Sequence, residues 1–413
     1  MLKKVKYFCS LILFTLIFFS IISPLKIYAK ETNEPTVNSK RAISIDMDTN
    51  EVIYSKNSNE KAQCASTTKL ITALLLSENK KKTDYLIYTE NSIKQPSSSI
   101  FTDYKTNLKV NDKISANDVM NSLLLHSAND MATLISENLA KDINSYNILM
   151  DKKTKEIGMK NTNFYTPSGL DSDDILQGQS HYTTAYDMCL LAIEAFKSPW
   201  IRETMAKKDN VKLNIPSEAP ILLSNTNSNL NKNGCIGGKT GYTDKAGNCL
   251  VNFYERDGRK IVGVILGASS RSDSFKDMSN LINYSYKTNK KTLYKKGDLV
   301  DTKVIEYKPF IFFGPPQNYE IDLLAKKDIK LYSNEINNSI KPTITLEKYS
   351  PWKLSKKNTI AKLNYKSDNI NESFELFSDT SIFSLVLDAL PFYLISLTLI
   401  AIAFIIFKKL KRN

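Results

Sequence analysis

Histidine is nearly missing from this chain of 413 residues, which has two, His126 and His181. Its cysteines form no C-x-x-C pair. A metal centre built from imidazoles and thiolates therefore has no ligand set to draw on, and neither a metal nor a cofactor is expected. No block of positive charge is interleaved with aromatic residues, although the formal net charge is +13, so nucleic acid is not an expected partner. Cysteine is sparse. Cys9 lies in the apolar start, before most of that run, and does not read as a lipid-attachment site. Cys64, Cys189, Cys235 and Cys249 make an even set that permits disulfides outside the cell. We read them as buried thiols.

The two ends carry the long hydrophobic runs. Lys3, Lys4 and Lys6 precede an apolar stretch from Tyr7 to Ile22, and Ile27-Tyr28-Ala29 offers a small-residue cleavage site. This is the pattern of a secretory signal over residues 1–29, with an uncleaved anchor as the other reading. At the far end, no charge occurs from Pro391 to Phe407, and only Asp388 interrupts the extension back to Ser381. Leu394 to Phe407 is apolar all round, which favours a spanning helix over one lying on the surface with a charged face. Lys408, Lys409, Lys411 and Arg412 follow, and such a basic flank marks the cytoplasmic side. The expected layout is a membrane anchor at 386–407, a cytoplasmic tail at 408–413 and an extracytoplasmic body. A basic exported surface suits anionic wall polymers and lipid headgroups, and is equally what a lysine-rich solvated surface looks like.

Between the ends, two kinds of periodicity alternate. Residues 42–54 read as a hairpin about Asp48-Thr49-Asn50. Ser66 then opens a helix with Leu70, Ile71, Leu74 and Leu75 on its apolar side. Residues 116–160 are mostly helical, with Asn117 as a cap and a break near His126 that leaves Ser127-Ala128-Asn129 between two helices. A further helix is expected over 183–196. Strands return at 235–242, 247–254 and 260–266, and a helix over 274–286 follows them. This predicts one sheet with a helical cluster attached. From Lys290 to about Ser378 the helical period fades. Short β-rich stretches (300–307, 319–324, 329–332, 343–346, 360–363) read as a small all-β domain acting as spacer or wall-contact module.

Three motifs carry chemistry: Ser66-Thr67-Thr68-Lys69, Ser127-Ala128-Asn129 and Lys239-Thr240-Gly241. S-x-x-K alone says little, since Ser23, Ser58, Ser77 and Ser350 each precede a lysine by three residues. Only Ser66 opens an apolar helix, and Lys-Thr-Gly occurs once. A serine hydroxyl must lose its proton as it attacks. Lys69, one turn on, faces the same way and serves as base if burial and a second cation such as Lys239 depress its pKa. Ser127 can relay a proton, and Asn129 can hold a substrate amide and orient Lys69. Lys239 and Thr240 on a strand suit a substrate carboxylate, and Gly241 lets a ligand approach the backbone. Taken one at a time, these residues also read as helix caps and surface lysines.

In this order the three motifs resemble the penicillin-recognising serine enzymes. The segments Cys64 to Leu75, His126 to Asp130, Thr166-Pro167-Ser168-Gly169-Leu170-Asp171 and Gly238 to Thr243 are similar to those of D-alanyl-D-alanine carboxypeptidases, low-molecular-mass penicillin-binding proteins. The resemblance runs from about Arg41 to Tyr286. It implies an α/β fold of penicillin-binding-protein/β-lactamase type, with an antiparallel sheet and helical cluster over 36–287. A small β-rich domain at 288–378 and the transmembrane helix would complete it. It also implies attack by Ser66 on the D-Ala-D-Ala terminus of a peptidoglycan stem peptide, inhibition by β-lactams at the same serine, and an oxyanion hole from the backbone amides of Ser66 and Tyr242. Cys64 departs from the family, which usually has proline there, and so does a full span where many relatives have an amphipathic anchor. A β-lactamase shares the motifs, but no E-x-x-L-N lies between Asn129 and Lys239, and Ala128 stands where that class usually has Asp. A penicillin-binding wall or sensor protein of weak turnover is the remaining alternative.

Overall fold

The structure, a computed structural model, describes residues 34–96, 98–355, 357–367 and 370–411. The expected signal segment at 1–29 and Arg412 lie outside the described residues. From Thr36 on, the chain is one compact unit.

β1 (Arg41–Asp46) and β2 (Val52–Lys56) form the expected hairpin. Its turn is held by the Asp46 carboxylate, which accepts from the N–H groups of Asp48 and Thr49 at 3.2 Å each. A 3-10 turn at Ala65–Thr68 then runs into α1 (Lys69–Asn79), and every residue from Lys69 to Leu76 is buried. α2 (Ala116–Asn121) is capped by Ser115, whose side chain accepts from the Asp118 N–H, and not by Asn117 as expected. Asn117 lies one residue inside the helix, where its own N–H donates to the Lys82 carbonyl at 3.2 Å. A π-type turn at Ser122–His126 follows and ends on Ser127, which takes a left-handed φ of 70°. α3 (Asn129–Leu139) and α4 (Ile143–Ile157) continue the cluster, and α5 (Ala185–Lys197) returns the chain to the sheet.

β3 (Cys235–Thr243), β4 (Gly247–Arg256) and β5 (Arg259–Ala268) complete an antiparallel sheet of order β2-β1-β5-β4-β3, closed by α6 (Arg271–Lys287). The strands are apolar on both faces because both are covered. Ile43, Ile45, Val262 and Val264 face the cluster containing α1 and α5, while Ala42, Ile261 and Ile265 face Met278, Leu281 and Ile282 of α6. α6 starts three residues earlier than its apolar period suggests. Ser270 caps it and accepts from the Asp273 N–H, a capping pair readable as Ser270-x-x-Asp273.

Beyond α6, β6 (Leu299–Tyr307), β7 (Gln317–Ala325), β8 (Thr343–Leu346), β9 (Ala361–Ser367) and β10 (Ile370–Phe377) form a second antiparallel sheet, ordered β6-β7-β10-β9-β8. β10 was not expected from sequence, because Asn371 and Glu372 dilute the alternation that Phe374 and Leu376 carry. The two sheets are joined by specific contacts. Asn334 donates to the Val52 carbonyl at 2.7 Å, and Glu335 accepts from the Asn57 N–H at 2.9 Å. α7 (Ile382–Asp388) packs Leu385 and Ala389 against Tyr307, with Trp352 and Tyr393 beside them. α8 (Leu390–Leu410), with Pro391 in its first turn, is the one described helix long and apolar enough to cross a membrane. It starts later than the expected 386 because Ala389 ends α7.

Candidate active site

Strand β3 is an edge strand of its sheet, and its outer edge lies against the 3-10 turn that carries Ser66. The two come so close that a Cβ added at Gly241 would sit 2.8 Å from the Ser66 backbone nitrogen and 3.0 Å from that of Thr67. Only glycine keeps that space open. On its other side, the turn is bounded by the loop around Gly169, whose φ is +83° and whose missing Cβ leaves space for the Ala65 carbonyl. Ala65 is itself left-handed, at φ 48°.

In a 3-10 turn, side chains three apart eclipse one another, and so Ser66 and Lys69 align more closely than α-helical spacing would give. Lys69 Nζ lies 2.8 Å from Ser66 Oγ. It is also 2.7 Å from Asn129 Oδ1 and 2.9 Å from the Ser168 carbonyl oxygen. The last two groups are permanent acceptors. A neutral amine has two N–H bonds for them and one lone pair left, which then points at the Ser66 hydroxyl. Lys69 is fully buried. Its pKa is held well below the ordinary lysine value by burial first and by the charge of Lys239 second, with Asp130 opposing.

Lys239 is equally buried, with Nζ 2.9 Å from Ser127 Oγ and 2.8 Å from the Thr240 carbonyl oxygen. Burial, and then the guanidinium of Arg271, lower its pKa to about 7. Ser127 is turned toward it by the left-handed kink that closes the π-type turn. A π turn and a non-glycine residue at positive φ are both costly, and both mark functional sites more often than chance. Asn129 opens α3, with its N–H donating to the Ser98 carbonyl at 2.7 Å. The neighbouring Asp130 carboxylate accepts from the N–H groups of Ile100 and Phe101, each at 3.1 Å, and so ties the 98–101 segment to the same helix start.

Seven of the eight residues expected from sequence (Ser66, Lys69, Ser127, Asn129, Lys239, Thr240 and Gly241) thus converge. Tyr242 follows them on β3, but its ring is 60% exposed and its hydroxyl donates to Asp244 at 2.8 Å. Sequence reasoning missed four partners. The Ser168 carbonyl lies in a segment quoted only for its resemblance. His181 joins Thr68 at 3.0 Å through Nε2, while its Nδ1 accepts from the Tyr165 N–H at 3.1 Å. Thr226 Oγ1 sits 2.8 Å from Thr240 Oγ1, and Arg271 donates to the Thr226 carbonyl at 2.6 Å. A lone threonine and a helix-opening arginine carry no pattern in sequence. Cys64, in the place of the usual proline, is buried with its sulfur 3.1 Å from Thr68 Oγ1. All four described cysteines are buried free thiols, as expected.

The sheet, the helical cluster and the convergent motifs define a penicillin-binding-protein fold. The Streptomyces K15 DD-transpeptidase shares it, at a TM-score of 0.55 and 21% identity over 62% of this chain and 100% of that one. Penicillin-binding protein D2 from Listeria monocytogenes, solved in its ampicillin-bound form, matches with a TM-score of 0.52 and 27% identity over 61% of this chain and 99% of its own. A family model described as D-alanyl-D-alanine carboxypeptidase matches residues 28–270, and the chain belongs to that family of serine peptidases. Among curated relatives, D-alanyl-D-alanine carboxypeptidase DacF of Bacillus subtilis (strain 168) is 29% identical over 322 residues, 76% of this chain and 78% of the relative. A D-alanyl-D-alanine endopeptidase of Escherichia coli (strain K12) is 27% identical over 262 residues, 61% of this chain and 79% of its own.

Proposed function

We propose that this protein removes the terminal D-alanine from peptidoglycan stem pentapeptides through an acyl-enzyme on Ser66, and that β-lactams acylate the same residue. The observation that carries the reading is the buried Lys69 amine, 2.8 Å from Ser66 Oγ and already committed to two acceptors. Ser66 Oγ–H gives its proton to that amine while Oγ bonds to the carbonyl carbon of the penultimate residue. The oxyanion so formed takes N–H donors from Ser66 and Tyr242, beside the space that Gly241 leaves open. As the C–N bond breaks, the departing amine takes up a proton through Ser127, which is within reach of Lys239. Water then releases the acyl group and restores Ser66.

Lys239 and Thr240 receive the terminal carboxylate, the first by charge and the second by hydrogen bond, with Thr226 and Arg271 holding Thr240 in place. Asn129 orients Lys69 and offers its amide to the substrate backbone. The body over 36–287 is the catalytic domain, the β-rich part over 288–378 is a spacer, and α8 spans the cell membrane with Lys408 and Lys409 on the cytoplasmic side. A cleaved signal at 1–29 completes this layout.

The test is digestion of diacetyl-Lys-D-Ala-D-Ala followed by mass spectrometry. Loss of one D-alanine is expected from the native chain and none from Ser66→Ala, which also loses labelling by fluorescent penicillin. A labelled tryptic peptide carrying another serine, such as Ser350, would contradict the assignment. Labelling without D-alanine release would leave a sensor.

A further inference from the structure

The tip of the β6–β7 hairpin is apolar where a solvated turn should be polar. Lys308-Pro309-Phe310-Ile311-Phe312-Phe313-Gly314 carries three exposed large side chains in a row: Ile311 at 53%, Phe312 at 86% and Phe313 at 65%. The tip is rigidly built. The rings of Phe310 and Phe313 stack at 4.8 Å, and Trp352 Nε1 donates to the Lys308 carbonyl at 2.9 Å. It is also fastened to the start of α8, where the Tyr393 hydroxyl donates to the Pro309 carbonyl at 2.6 Å and its ring meets that of Phe310 at 5.4 Å.

We infer that this hairpin tip is a second membrane contact, which seats Phe312 and Phe313 in the outer interface of the same bilayer that α8 crosses. The inference rests on the reading of α8 as a span. A hydrocarbon core about 30 Å thick takes about 20 helical residues, and counting that many back from Lys408 reaches Asp388. Tyr393 then lies one turn inside the outer boundary, in the zone where amphipathic aromatic rings collect. The tip held by Tyr393 is at the same depth, and its exposed rings meet lipid. α7, the helix that precedes the span, adds Ile382 at 47% and Phe383 at 67% exposed. Leu385 and Ala389 fix α7 to Tyr307, so the second sheet cannot swing freely about the helix. The tip and α8 together give a two-point mount that sets the tilt of the whole body.

The four described native cysteines are buried, so in the full chain carrying Cys9→Ser a new surface thiol takes a nitroxide label selectively. Three positions are labelled one at a time, Phe312→Cys, Leu397→Cys in the span and Ile148→Cys on α4, and the protein is reconstituted in phosphatidylcholine and phosphatidylglycerol vesicles. Fluorescent penicillin confirms that each folds. Depth is read by relaxation with oxygen against a water-soluble nickel chelate. The label at 312 is expected to favour oxygen by several-fold over the label at 148, and to lie shallower than 397. If 312 behaves like 148 while 397 stays in the bilayer, the hairpin inference is overturned and the span stands. If 397 is also aqueous, the span reading falls and the inference with it.

Discussion

Burial of Lys69 and Lys239 sets the pH at which each can do its task. Lys239 holds its proton below about pH 7 and loses it above. Its charge is therefore present for a substrate carboxylate on the acid side and fades on the alkaline side. kcat/KM reports free-enzyme ionisations, so for a D-Ala-D-Ala substrate it is expected to fall above about pH 7, while a neutral ester analogue keeps its rate. A profile with the same alkaline limb for both would count against the carboxylate role. Lys69→Ala should slow acylation by every substrate. Lys239→Ala should cost carboxylate substrates roughly 2–4 kcal/mol more than esters. His181 gives a separate signal, in stability. Burial lowers its pKa to about 4, and both ring nitrogens are engaged while it is neutral. Between about pH 6.5 and 4 the unfolded chain binds a proton that the folded chain refuses. Its contribution is complete above pH 6.5 and is lost as pH falls toward 4, on the order of 3 kcal/mol. Urea midpoints at pH 7 and 4.5 should differ more in the native chain than in His181→Asn.

At the scale of the element, β3 and the 3-10 turn frame a gap beside the Ser66 and Thr67 nitrogens, the one proposed for the oxyanion, and Gly241 sets its width. Gly241→Ala would put a methyl group 2.8 Å from the Ser66 nitrogen. Acylation by penicillin should drop about 10²–10³-fold with an unchanged melting temperature, measured by stopped-flow labelling and calorimetry. A fall in melting temperature with normal acylation would mean that the backbone moves aside. The elements that were legible in sequence are those whose period is strong: the buried α1, and β4 and β5 joined by Asp257-Gly258. What escaped is local and irregular. The π-type turn buries Leu123, Leu124 and Leu125 in succession and ends on the left-handed Ser127, a pattern no 3.6-residue count reveals. The Ser168 carbonyl is a backbone atom, which any residue type would supply. Motif order therefore picked out Ser66, the two lysines and Asn129, which the fold brings together, while the groups packed around them came only with the fold.

Across the whole molecule, the apolar end divides into two parts with different tasks. α7 belongs to the second sheet through Leu385 and Ala389, whereas α8 is exposed along its length from Leu397 on. Removing the signal and residues 381–413 would strip α7 and uncover Tyr307 and Trp352. Ending the chain after Ala389 instead should give a soluble protein of full penicillin binding, with the shorter form less stable by about 1–3 kcal/mol for the lost apolar cover. Gel filtration and urea titration of the two forms check this, and equal stability would show that α7 adds nothing. In the full chain, protease added to intact cells should release the catalytic body and leave a stub. Removal from membranes by alkali alone would contradict the span.

The pairing of β1 with β5 sets Arg41 opposite Leu266, so the centre of the sheet is made from strands at opposite ends of the catalytic body. A polypeptide delivered amino end first completes the β1–β2 hairpin early, yet one edge of β1 stays open until the helical cluster and β3 to β5 have emerged. Closing so long a loop is slow, and an unpaired apolar edge is a hazard while it lasts. The pocket joins Ser66, made before that wait, to Lys239 of β3, which is placed only when β4 and β5 close the sheet. Reactivity toward penicillin is thus a clock for the last step of assembly, and it should appear all at once, not grow with chain length.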